Sequence, residues 1–136
     1  MDAEQLGALV RARCRRSLYR LTTAGLAAVL VDLPGPGVTR RRLVLLPEGR
    51  PPVPRAAADD DEDVRYLHPA AACGAGPDFV LVDDRWAVRL LHDDHGRFTA
   101  AVEVPAAAVD SYRCRWDLGW SQATTVIPRP VPPRGR

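Results

Sequence analysis

Residues 78–104 constrain the fold more than any other stretch of the chain. Asp78-Phe79-Val80-Leu81-Val82 is apolar at consecutive positions, as a strand covered on both faces requires. Asp83-Asp84-Arg85 then reads as a tight turn, after which Trp86, Val88 and Leu90 alternate with Ala87 and Arg89 at the period of a strand. Asp93-Asp94-His95-Gly96 is a second turn, with glycine where a left-handed residue is needed. Phe98, Ala100, Val102 and Val104 form the expected inward set of a third strand, which completes an antiparallel meander. Pro105 opens a helix, along which Val109, Tyr112, Trp116, Trp120 and Ala123 make an apolar stripe. That stripe is expected to lie on the meander, with Trp116 opposite Phe98, Ala100 and Val102 as the main core filler and Trp120 partly exposed.

The first half is less regular. Asp2 and Gln5 have the form of a capping box, and Leu6, Val10, Cys14, Leu18 and Leu21 recur at helical spacing. Arg13, Arg16 and Arg20 fall on the opposite face of that helix. A second short helix is predicted from Thr23 to Leu33, stopped by Pro34-Gly35-Pro36-Gly37. Val38 to Leu46 reads as a strand and Val64 to Leu67 as a shorter one. The fold class is therefore α+β or α/β: a mixed sheet with a C-terminal antiparallel three-strand meander, flanked by N- and C-terminal helices. Residues 1–124 form one domain, with 1–37 a helical lead-in and 47–62 a flexible loop. The Pro/Arg-rich residues 125–136 are expected to be a disordered tail.

All nineteen basic residues are Arg. A chain without Lys has no Schiff-base, P-loop or kinase lysine and no phospholipase-type His-x-Lys pair. No Gly-x-Ser-x-Gly elbow is present either. His92-Asp93-Asp94-His95 offers metal-ligand chemistry, but consecutive residues at a turn do not converge on one ion, and backbone reasons alone explain them. No metal or cofactor is expected. Asp59 to Asp63 reads as a solvated acidic linker, and Arg40-Arg41-Arg42 as a charge cluster on an edge strand, where at most two side chains point together. The three cysteines, Cys14, Cys73 and Cys114, fit free thiols in a reducing cytoplasm. The longest apolar run, Ala24 to Val31, has eight residues, so no membrane span is expected. Charge is segregated, at +6 over residues 1–58, −7 over 59–103 and +3 over 104–136, an arrangement suited to self-association or partner docking.

Glu62-Asp63-Val64-Arg65-Tyr66-Leu67, Asp78 to Arg85, His92 to Phe98 and Trp116-x3-Trp120-x2-Ala123 together resemble a family of uncharacterised actinobacterial proteins commonly encoded beside helix-turn-helix regulators. The resemblance covers about residues 38 to 124. More remotely, the order of elements is similar to one half of the phospholipase D fold, which ligand-sensing domains of bacterial regulators also use. With Asp83 in the place of that fold's aspartate, its His and Lys positions fall on Gly76 and Asp78. The resemblance thus implies the scaffold without the activity. The expected function is a non-catalytic regulatory or binding module for a partner protein, among them a helix-turn-helix regulator, or for a small ligand. The candidate surface is Trp120, Asp93, Asp94, Arg65, Asp84 and Arg85. The alternatives are an enzyme of unrecognised type using His92, Asp93 or Asp83, and nucleic-acid binding through the arginine-rich segments.

Overall fold

A computed structural model describes residues 1–24, 26, 37–46, 62–68 and 77–125. Six strands form one mixed sheet: β1 (Ser17–Thr23), β2 (Thr39–Leu45), β3 (Glu62–Leu67), β4 (Asp78–Val82), β5 (Trp86–His92) and β6 (Phe98–Glu103). Their order is β3-β2-β1-β4-β5-β6. The first three strands are parallel, β4 runs antiparallel to β1, and β5 and β6 continue the antiparallel meander. Helix α1 (Ala3–Arg13) covers one face and helix α2 (Val109–Gln122) the other. The chain is thus an α+β fold with a mixed sheet between its first and last helices. None of the helices among the described residues is long and apolar enough to cross a membrane.

Strand β4 sits at the centre of the sheet, and every one of its residues is buried. Val80 and Val82 pack under Leu6, Val10 and Cys14 from the α1 side, with Leu18, Val88 and Ala101. Phe79 and Leu81 meet Val109 and Trp116 on the α2 side, with Leu21, Leu43 and Leu67. Apolar residues at successive positions are the direct consequence of that double cover.

The same physics corrects the reading of the N-terminal stripe. The capping box forms, but α1 ends at Arg13, and Cys14 is already extended at φ −74° and ψ 121°. Leu18 and Leu21 belong to β1 and point to opposite faces, each to its own core. Because β1 is interior and covered on both sides, its buried positions mimic a helical spacing that it does not have. Arg20, expected on an exposed helix face, is buried. Its Nη2 donates to Glu62 Oε2 at 2.6 Å, while Arg42 Nη2 lies 3.0 Å from Glu62 Oε1. One carboxylate on β3 therefore ties together β1 and β2, and β2 is an inner strand instead of the edge inferred from its arginines. The helix predicted from Thr23 begins on the last residue of β1, and most of its span lies outside the described residues. The predicted loop at 47–61, Cys73, Gly76 and the tail beyond Thr125 also lie outside them.

A β-bulge corrects the third strand of the meander. The register shifts between Leu91 and His92, which pair with Ala100 and Phe98, so Thr99 is the extra residue. Phe98 and Ala101 consequently pack on the α1 side, whereas Val102 is 42% exposed. The inward set Phe98, Ala100, Val102 and Val104 is thus split, and the meander has an apolar face on each side. Nor does Trp116 lie over Phe98: it stacks on Tyr19 of β1 at 5.0 Å. Both sheet edges carry a short added bridge, Tyr66 with Thr124 beside β3 and Ala101 with Met1 beside β6. Each shields part of an otherwise unpaired strand edge.

Candidate binding site

The six residues of the candidate surface fall in three places. Asp84 and Arg85 lie at the β4–β5 turn and Asp93 and Asp94 at the β5–β6 turn, so the length of β5, roughly 20 Å at the strand rise, separates them. Trp120 and Arg65 lie across the sheet, against β3. Only these last two are brought together. His92 and Asp93 likewise sit at the opposite end of β5 from Asp83, so the residues of the enzyme reading share no site.

The two turns use their carboxylates on their own backbone. Asp83 and Asp84 both have positive φ, 52° and 58°, and Arg85 N donates to Val82 O at 3.0 Å, which makes a two-residue hairpin turn. Asparagine or glycine normally fills such positions. Asp83 earns its place because its carboxylate accepts the backbone N–H groups of Arg15, Arg16 and Ser17 at 2.7–3.3 Å. It thereby forms the corner between α1 and β1. Partial burial pushes the Asp83 carboxyl up, but the N–H groups of Ser17, Arg16 and Arg15 and the Arg16 charge outweigh it and hold the carboxyl below its ordinary value. In the second turn Asp93 Oδ1 accepts from His95 N and Arg97 N, and Gly96 takes φ 77°. Asp78 is buried and accepts from Thr23 N and Thr23 Oγ1 at 2.9 and 2.7 Å, locking β4 to the end of β1.

The remaining cluster is built from rings and guanidinium groups. Tyr19 stacks on Trp116, and Trp116 on Trp120 at 5.4 Å and 18°. The i, i+4 spacing of the two tryptophans on α2 sets that second stack. Arg65 lies over the Trp120 ring at 4.2 Å and donates from Nη1 to Trp120 O at 3.0 Å. Arg41 approaches the same ring at 5.2 Å and Tyr19 at 5.4 Å. Register explains the convergence: Arg41 pairs with Asp63 and Leu43 with Arg65, so the two arginines are diagonal neighbours on the α2 face of β2 and β3. Trp120, Arg65 and Arg41 are all half-buried. Among the described residues Arg41 has no carboxylate partner, and its buried Nε has no hydrogen-bond acceptor. Asp63, beside it on β3, is exposed and forms no ion pair with it.

Arg41 is the functional candidate that sequence reasoning missed. The signal was present in the alternation of strand side chains: if Arg40 and Arg42 share one face, the middle arginine stands alone on the other. No protein-family model, curated protein or solved structure matches this chain.

Proposed function

We propose that this chain is a non-catalytic regulatory module that binds a partner protein through Trp120, Arg65 and Arg41. The observation that carries the reading is the cluster itself, in which two half-buried cations converge on one half-buried ring and one of them lacks an acceptor. Tryptophan and arginine are the residues that most often dominate interfaces, through desolvated ring area and multiple donors. The absence of a usable catalytic set among the named acids supports the non-catalytic part, since Asp78 and Asp83 are both occupied in holding backbone. In the same reading the sheet is a phospholipase D-like half whose histidine and lysine positions are Gly76 and Asp78, a scaffold without its nucleophile. A helix-turn-helix regulator encoded beside the chain is the first partner to test.

Trp120→Ala measures this directly. The variant should remain folded, as its far-UV circular dichroism will show, yet lose at least about tenfold in affinity for the regulator by isothermal titration calorimetry. Unchanged affinity in a folded Trp120→Ala protein would remove this surface from the function.

A further inference from the structure

We infer that Arg41 and Arg65 form an oxyanion-binding site, so that the group recognised on the partner is a carboxylate or a phosphoryl group; this rests on the binding-module reading and names its chemistry. Two guanidinium groups on adjacent strands lie within about 5 Å of one indole ring, 4.2 Å for Arg65 and 5.2 Å for Arg41. The rings hold both arginines by their flat faces, and a guanidinium held this way keeps its N–H groups in its plane, directed past the ring edge. Arg65 commits Nη1 to the Trp120 carbonyl and Arg41 commits no donor to any acceptor among the described residues. Stacking therefore fixes the two cations in position without neutralising them. A buried N–H without an acceptor is costly, and an arriving oxyanion removes that cost while an uncharged ligand with no acceptor does not.

Asp63 gives the site a sign-specific test. It is directly opposite Arg41 in the strand register, exposed, and bonded to neither arginine. Its charge repels an incoming anion without supporting the fold, so neutralising it should strengthen binding. A purely structural Arg–Trp stack predicts no such gain.

The experiment follows intrinsic tryptophan emission of the isolated chain during titration with sodium phosphate and, separately, with glutarate, at constant ionic strength maintained with chloride. The wild type should give a saturable change with at least one of these anions, and the preferred anion identifies the phosphoryl or the carboxylate source. Arg41→Gln should weaken the response by about tenfold, as loss of a charge-assisted hydrogen bond does, and Asp63→Asn should strengthen it by about threefold. No saturable response from the wild type to either anion overturns the inference, and so does an Asp63→Asn protein that binds no more tightly than wild type. The second outcome needs no variant in the core, so a folding defect in Arg41→Gln cannot obscure the result. Regulator binding that depends on Trp120 without any anion response would overturn this inference alone. An anion response in a chain that binds no regulator would overturn the partner reading alone.

Discussion

Trp116→Ala is expected to destabilise the fold by about 3–5 kcal/mol, measured by urea unfolding followed by circular dichroism. Trp116 is 1% exposed and is the largest of the fully buried side chains. It fills the space between α2 and the sheet, stacked on Tyr19 below and Trp120 alongside. With only eight aromatic residues in the chain, no neighbour can expand into the cavity left behind. Removing the ring costs its transfer free energy plus the lost contacts of a cavity that cannot collapse. That is a large share of the roughly 5–15 kcal/mol by which a domain is stable. Trp120→Ala should cost clearly less, because that ring is only half-buried. A loss below about 1 kcal/mol for Trp116→Ala, or a reversed order of the two variants, would mean that α2 is not seated through Trp116.

The second large effect belongs to Asp83 and depends on pH. Its carboxylate accepts three consecutive backbone N–H groups, and charge-assisted bonds of this kind make Asp83→Asn cost about 2 kcal/mol at neutral pH. The folded protein holds this carboxyl below its ordinary value of 3.8, so protonation favours the unfolded chain. Its contribution is fully present above 3.8 and is lost as the pH falls through the lower folded value. Urea midpoints of wild type and Asp83→Asn should therefore differ at pH 7 and converge in acid. A constant difference down to the acid limit would show that the carboxylate charge is not what holds the corner between α1 and β1.

The parts of the fold legible in the sequence were those with one-sided or strictly punctuated patterns. The Asp2–Gln5 cap, both meander turns and the α2 stripe each follow from local chemistry that the tertiary structure leaves in place. Strand β1 was obscured because burial on both faces erases the period of two, leaving Leu18 and Leu21 spaced like helix residues. The bulge at Thr99 was hidden for a related reason: Ala100, Ala101 and Val102 are all small and apolar, so nothing marks which of them turns inward. The candidate site was half legible. Trp120 was singled out from its place near the end of α2, and Arg65 from its motif, but their contact depends on where β3 lies in the sheet. Sheet order follows from long-range pairing, which no local spacing encodes. For the same reason the acidic turns looked like parts of one surface, although β5 holds them at opposite ends.

The most direct measurement is hydrogen–deuterium exchange of the chain alone and in complex with the regulator. Binding through the arginine–tryptophan cluster should slow exchange in β3, residues 62–67, and in the last turns of α2, residues 116–122, while the turns at 83–85 and 93–96 exchange as in the free chain. Protection confined to either of those turns, with 62–67 and 116–122 unchanged, would contradict the assignment of this cluster as the contact surface.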